Sequence, residues 1–369
     1  MKIADKSFRS IWLNHNGWAV DIIDQTRLPH AFVIATLETV EDAAEAIRVM
    51  RVRGAPLIGA TAAYGIALAM RQDPGDANLD KVCNTLLATR PTAVNLRWAV
   101  EGIKAVLPGL EVARRADQAY EMAAKICDED VSINRAIGQH GLQIIEQLWR
   151  QKAAGTGVLH ILTHCNAGWL ATVDYGTALA PIYLAHDAGI PVHVWVDETR
   201  PRNQGAALTA WELASHGIAH DVIVDNAGGH LMQHGQVDVC ITGTDRTARN
   251  GDVCNKIGTY LKALAAHDNG IPFYVALPGP TIDWQMADGI TGIPIEEREA
   301  REVTHISGKT GAGQVDEVQI TPDGVTACNY AFDVTPARLV TGLITERGVC
   351  AASESGLLGL YPEHGGTNI

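Results

Sequence analysis

The chain has 369 residues, 42 of them acidic against 29 basic for a formal net charge of −13, and is 47% hydrophobic at a mean hydropathy of +0.02; that charge argues against a nucleic acid held by the overall field but leaves room for a local basic pocket around a phosphate. No apolar run of membrane-spanning length is free of charge or glycine, and residues 1–7 lack the apolar stretch of a secretory signal, so a cytoplasmic protein without membrane contact is expected. Seven scattered cysteines without a CxxC pair speak against a disulfide framework and a zinc knuckle, and the length calls for two domains rather than one core.

The apolar runs at 18–23 and 31–35, broken by turn residues, predict a small antiparallel sheet. Helical spacing begins at Thr39, with Glu41 and Asp42 in the first turn where carboxylates suit the helix dipole. Glycine and proline at 54–56 separate that helix from a second, Ala-rich one that runs from near Pro56 to Met70. Further helices are predicted at 79–89, at 95–106 after the break Arg90-Pro91-Thr92, and from about 112 to 150. Beyond residue 157 strands and helices alternate. Strands are expected at 158–162, 192–196, 221–224, 237–242 and 273–276, and helices near 176–188, 204–215, 228–234 and 255–267. The reading is an α/β protein: residues 1–150 form a small sheet plus helical bundle, and residues 151–369 a Rossmann-like, mainly parallel sheet with helices on both faces. The glycine-rich tail after Tyr361 reads as a loose end.

In an open α/β sheet, chemistry gathers outside the carboxyl ends of the strands. The first such exit is Thr163-His164-Cys165-Asn166-Ala167-Gly168. A lone cysteine is more often a small hydrophobe than a reactive thiol, so its company decides. That company is polar: 197–205 reads Asp-Glu-Thr-Arg-Pro-Arg-Asn-Gln-Gly, 243–246 reads Gly-Thr-Asp-Arg, 255–259 reads Asn-Lys-Ile-Gly-Thr, and 278–283 reads Pro-Gly-Pro-Thr-Ile-Asp. Arg51 and Arg53 before a helix N-terminus suit an anion, although the same stretch fits a loop with solvated arginines. Gly155 and Gly157 precede their strand, so they form no dinucleotide fingerprint, and no GxxxxGK[ST] occurs; no cofactor is expected. His160 and His164 share a strand face with Cys165 on the other, which disfavours a metal site and gives His164 the task of orienting backbone.

The runs Arg53-Gly54-Ala55-Pro56, Arg90-Pro91-Thr92-Ala93-Val94-Asn95-Leu96, Thr163-His164-Cys165-Asn166, Val196 to Arg202, Asp245-Arg246, Asn255 to Tyr260 and Asn329 to Pro336 resemble, in this order, the methylthioribose-1-phosphate isomerase family, within the superfamily of the regulatory subunits of translation initiation factor 2B. Thr244-Asp245-Arg246-Thr247-Ala248 departs from an Ala-Asp-Arg-Ile-Ala type of run, and Leu277-Pro278-Gly279-Pro280 from an Ala-Pro-x-Ser type. The resemblance implies catalytic Cys165 and Asp245, substrate binding by Arg53, Gly54, Ala55, Arg90, Gln204, Asn255 and Lys256, no metal, and a homodimer. It implies conversion of 5-methylthioribose 1-phosphate to 5-methylthioribulose 1-phosphate in methionine salvage. Two alternatives stay open: an isomerase of 5-deoxyribose 1-phosphate or ribose 1,5-bisphosphate, and a non-catalytic regulatory subunit of the initiation-factor type. A basic residue facing C5 would favour the bisphosphate; an apolar pocket, with Trp169 or Trp211 as candidates, would favour methylthio.

Phosphate on the anomeric oxygen blocks the free aldehyde, so ring opening comes first. Asp245, expected to be enclosed and protonated, would donate to the ring oxygen, with Cys165 against C1 and C2. Either a thiolate removes the C2 proton or hydride moves from C2 to C1. Arg53, the amides of Gly54 and Ala55, Arg90 and Lys256 would hold the phosphate, and Gln204 and Asn255 the hydroxyls. Arg200 and Arg202 are assigned to a salt-bridge network that organises their loop.

Overall fold

The computed structural model describes residues 2–3, 6–90 and 93–365. Pro91 and Thr92 of the arginine-proline motif, and the last four residues of the glycine-rich tail, lie outside the described residues. The expected small sheet is present, with strands Ile11–Leu13, Val20–Ile23 and Ile34–Leu37 antiparallel in chain order. Helix α1 (Val40–Arg48) starts on a capping box in which Thr39 Oγ1 accepts from the Asp42 amide and the Asp42 carboxylate accepts from the Thr39 amide.

Helix α2 (Ala55–Gln72) is apolar on almost every side and is correspondingly buried along nearly its whole length. Around it pack α1, α3 (Asp76–Leu87), α4 (Val94–Lys104) and α5 (Arg115–Gln151). Helix α5 has 37 residues and is therefore about 55 Å long. Its first half gives Ala119, Ala123 and Cys127 to the core around α2, and its second half gives Ile137 and Ile145 to the core on one face of the large sheet. Gly141 makes the second contact close: a β-carbon there would lie 2.3 Å from Pro181 in helix α6 (Ala180–Asp187).

The large sheet has seven strands. In chain order they are Leu159–Thr163, Val192–Asp197, Ala219–Ile223, Val239–Thr242, Phe273–Ala276, Gly342–Thr345 and Gly348–Cys350, and in space they lie in the order 3-2-1-4-5-6-7. All neighbours are parallel except the last pair. Alternate residues feed opposite cores: Leu159 and Ile161 pack towards α5 and α6, while Leu162 packs with Met232 and Ala263 from helices α8 (Ala227–Gln233) and α9 (Thr259–Asp268). The chain leaves the first strand on one side for the second and third, then returns to its other side for the fourth. The carboxyl ends of strands 159–163 and 239–242 therefore bound the switch-point crevice.

Two expectations need correction. Residues 255–267 are not one helix: Asn255 and Lys256 end the strand Val253–Lys256, Gly258 (φ +102°) turns the chain, and α9 begins at Thr259. That strand belongs to a second sheet, ordered Ile282–Asp283, Arg246–Ala248, Val253–Lys256 and Phe332–Thr335, whose runs are too short to show a period. The expected 204–215 helix opens with a π turn, Gly205–Thr209, before helix α7 (Ala210–His216); such insertions cluster at functional sites.

Candidate active site

Cys165 leaves the first strand in the left-handed region at φ +67° and is 6% exposed. For a non-glycine residue this backbone costs about 1–2 kcal/mol and needs fixing from outside. The Cys165 amide donates to Thr199 Oγ1 (2.8 Å) and its carbonyl accepts from Thr209 Oγ1 (2.6 Å). Thr199 is left-handed too (φ +66°) and is held by the Asp225 carboxylate, which accepts from the Thr199 and Arg200 amides at 2.7 Å each. The dense polar loop after the second strand thus shapes the turn that presents the thiol.

Asp245 follows the adjacent strand 239–242, and its amide donates to the Cys254 carbonyl (2.9 Å), which ties it to the Val253–Lys256 hairpin arm. It is half-buried, where the sequence reading has it enclosed. Lys256, from that arm, is buried with its ammonium 4.5 Å from the centre of the Phe332 ring. Burial pushes the Cys165 thiol up, the Arg53 and Lys256 cations pull it back, and Asp245 opposes them. Burial likewise pulls the Lys256 ammonium down, against Cys165 and Asp245, while Arg90 and Arg53 add to the fall. Five of the nine residues named from the sequence are therefore linked through two centres: Arg53 and Asp245 act on both Cys165 and Lys256, these two act on each other, and Arg90 acts on Lys256.

Arg53 stands just ahead of α2. Its guanidinium donates to Asn166 Oδ1 (2.6 Å) and to the Asn166 carbonyl (2.9 Å), so the start of α2 is fastened to the cysteine turn. Gly54 (φ +88°) and Ala55 begin the helix. Arg90 pairs with Glu296 (2.9 Å), and its buried Nε meets no acceptor among the described residues. Gln204 is buried and its Oε1 also meets no partner there. Asn255 donates to Thr259 Oγ1 (3.0 Å), a bond that turns its amide toward the start of α9.

Arg53 and Gln204 also line a cleft of about 800 Å³ between residues 25–31 and the hairpin His305–Lys309/Val315–Gln319. Leu28, Met50, Leu208 and Ile306 are among its apolar liners, and Arg27, Arg202 and Lys309 are among its basic ones. Neither tryptophan considered from the sequence lines it; Trp169 is 1% exposed in the core and Trp211 packs between Trp169 and Phe32.

Around the thiol, His164 Nε2 donates to the Ile257 carbonyl (2.8 Å) and Nδ1 meets Asp197 Oδ2 (2.8 Å). His164 thereby staples the cysteine strand to the loop after Lys256. With Asp225 these groups form a possible ligand set for a cation, but the Lys262 ammonium reaches both Asp197 (3.2 Å) and the Asp225 carbonyl and already supplies the positive charge. Arg202 pairs with Glu302 (2.7 Å), the ion pair expected of that loop, whereas Arg200 donates to the backbone carbonyls of Pro201 (2.6 Å) and Val303 (2.7 Å). Glu212, unnoticed in the sequence, is wholly buried beneath Asn166. In a helix of mixed polarity nothing marked it; only Gly168, where a β-carbon would fall 1.9 Å from its Oε2, hints at the close approach.

Comparison with known proteins agrees with this architecture. The sequence profile of the initiation factor 2 subunit family matches residues 51–352. The methylthioribose-1-phosphate isomerase of Rhodospirillum rubrum is 66% identical over 366 residues, covering 98% of this chain and 94% of the relative. The crystal structure of 5-methylthioribose 1-phosphate isomerase from Pyrococcus horikoshii superposes with a TM-score of 0.83 at 39% identity, covering 97% of each chain. A structure from A. fulgidus described as the delta subunit of translation initiation factor eIF-2B superposes at 0.78, also at 39% identity, over 96% of this chain and all of that one. On this likeness, which runs through the switch-point crevice and the whole of both sheets, the chain belongs to the initiation factor 2 subunit family and, within it, to the methylthioribose-1-phosphate isomerases.

Proposed function

We infer that this protein is an aldose–ketose isomerase that converts 5-methylthioribose 1-phosphate to 5-methylthioribulose 1-phosphate. The observation that carries the residue assignment is an enclosed thiol, Cys165, in one electrostatic neighbourhood with Asp245 and flanked by the cations Arg53 and Lys256 at the switch point. Arg53, the start of α2 at Gly54 and Ala55, Arg90 and Lys256 hold the phosphate; Gln204 and Asn255 take sugar hydroxyls. The methylthio group at C5 is assigned from the relatives' substrate; the cleft sets apolar Leu28 and Met50 beside the basic Arg27, Arg202 and Lys309. Association into a homodimer and work in the cytoplasm belong to the same proposal.

Asp245 gives a proton to the ring oxygen as the bond from that oxygen to C1 breaks, and the phosphate-bearing oxygen shares the positive charge left on C1. Hydrogen then moves with its electron pair from C2 to C1. The C2 hydroxyl becomes the carbonyl, and its proton returns to the Asp245 carboxylate, so the reaction needs no outside oxidant or reductant. Cys165 favours this route over proton abstraction. Burial holds its thiol protonated, and a bound phosphate dianion would offset the two cations that pull the other way. A neutral thiol is a poor base but a good apolar wall against C1 and C2, keeping water from the cation.

Turnover followed by NMR in deuterium oxide tests the reading. The expected result is ketose with no solvent deuterium at C1, and losses of about 10²–10⁴-fold in Asp245→Asn, with substrate binding kept. Cys165→Ser is expected to lose most activity as well. Deuterium at C1 within one turnover would replace the hydride route by proton transfer, and no turnover at all would remove the assignment.

A further inference from the structure

The Glu212 carboxylate lies at 0% exposure in helix α7 and accepts four hydrogen bonds: Asn166 Nδ2 (2.8 Å) and the Leu170 amide (3.1 Å) on Oε1, the Trp169 amide (2.9 Å) and the Tyr183 hydroxyl (2.5 Å) on Oε2. Burial pushes the Glu212 carboxyl up and the four donors pull it back; those donors fill its acceptor sites, and each lost bond would leave a buried donor bare. This has a consequence one residue away. An asparagine amide has one donating and one accepting end; the donating end goes to Glu212 at 2.8 Å, with Thr209 Oγ1 a longer second acceptor at 3.2 Å. Asn166 must then turn Oδ1 outward, where Arg53 donates to it at 2.6 Å and to the Asn166 carbonyl at 2.9 Å. Were the amide reversed, its N–H groups would face the guanidinium donors and Arg53 would keep only its bond to the Asn166 carbonyl.

We propose that Glu212 is a positioning residue for substrate phosphate: through Asn166 it fixes which way the Arg53 guanidinium points. The proposal rests on the reading of Arg53 as a phosphate ligand. Glu212 touches no substrate atom, and its effect is on binding rather than on the chemical step.

Glutamine at 212 cannot accept from all four donors. In one orientation its amide meets the N–H groups of Asn166 and Leu170, in the other the Trp169 amide, and the charge that aligns Asn166 is gone in both. Four variants decide the matter, each read by KM and kcat for the sugar phosphate, by calorimetric affinity for inorganic phosphate, and by melting temperature. Arg53→Ala is expected to weaken both substrate and phosphate. Glu212→Gln is expected to raise KM and the phosphate Kd about fivefold, the worth of one hydrogen bond, with kcat within twofold. Tyr183→Phe, which removes a donor from the other carboxylate oxygen, is expected to lower the melting temperature and leave KM alone. The double variant Arg53→Ala/Glu212→Gln is expected to bind no worse than Arg53→Ala by itself. Should Glu212→Gln fail to fold, Asn166→Ala takes its place in the same comparison with the same expected loss of binding. The proposal is overturned if Arg53→Ala weakens binding while Glu212→Gln only lowers stability, or if the two losses add. If Arg53→Ala binds phosphate and substrate normally, the phosphate reading of Arg53 itself fails.

Discussion

Gly54 shows how tightly single residues are specified at this site. Its φ of +88° lies where an L side chain is strained, and a β-carbon there would stand 2.3 Å from the Ala171 carbonyl oxygen and 2.6 Å from the Ala171 Cα. Backbone cannot rotate away as a side-chain tip can, so the two penalties fall together. Gly54→Ala is expected to cost about 2–5 kcal/mol in urea unfolding, the sum of left-handed strain and overpacking. It is also expected to weaken phosphate binding, because Arg53 and the first turn of α2 must back away from the 165–171 turn. A variant as stable as the parent would show that the two segments are free to part. Cys165, Thr199 and Asn203 hold left-handed backbone without being glycine. Their strain is sustained by hydrogen bonds such as Thr199 Oγ1 with the Cys165 amide, and it sits where the chemistry is proposed.

Among the elements, the exposed hairpin His305–Lys309/Val315–Gln319 closes one side of the cleft and is anchored at its base by Glu302. Although burial by itself would raise it, hydrogen bonds from Arg298 and Arg202 hold the Glu302 carboxyl down at about 2. A depressed carboxyl stabilises the fold above its ordinary 4.5 and loses that contribution as pH falls towards 2. Glu302→Gln is therefore expected to speed amide hydrogen exchange in residues 305–319 at pH 7, while the long helix α5 exchanges as before. Equal exchange in parent and variant would mean that strand pairing alone holds the hairpin. This element was not legible in the sequence, and neither was the second sheet: strands of two to five residues, as at 246–248 and 282–283, carry too few alternations to reveal a face. The long periodic elements were legible, α2 and α5 among them, as were the buried parallel strands. So was the nearness of the exits of strands 159–163 and 239–242, which carry Cys165 and Asp245, because strand exits in an alternating chain must converge. The course of the chain through Lys256 was not, since only the left-handed turn at Gly258 separates strand from helix there. Glu212 stayed hidden because a buried carboxylate is defined by its donors, which come from residues 166–183.

At the scale of the molecule, α5 is shared by the core around α2 and the core on the large sheet, and the point of passage is polar. Asp130 lies between Cys127 and Asn134 on the buried side of that helix, and its carboxylate accepts from the Val173 amide (2.7 Å), in the segment that follows the cysteine turn. Burial raises the Asp130 carboxyl from its ordinary 3.8 to about 7, with the Val173 amide pulling the other way. The sign follows from proton counts. Between about pH 4 and 7 the folded chain keeps a proton that the unfolded chain releases, so this group lowers stability as pH rises through that window and adds no further slope above it. The displacement is worth about 4 kcal/mol once pH exceeds 7, and about 1–2 kcal/mol at pH 5. Asp130→Asn keeps an acceptor for the Val173 amide and has no charge to lose. Its stability relative to the parent is therefore expected to improve by about 2–3 kcal/mol between pH 5 and pH 8. Urea unfolding at the two pH values measures this directly. A difference that stays constant with pH would mean that Asp130 is ionised in the folded chain throughout, with its charge met by water or by a rearranged contact between α5 and the 173 segment. The expected slope would instead place at the joint between the two cores a carboxyl that is neutral below about pH 7 and there holds the 173 segment without the charge that the formal −13 counts for it.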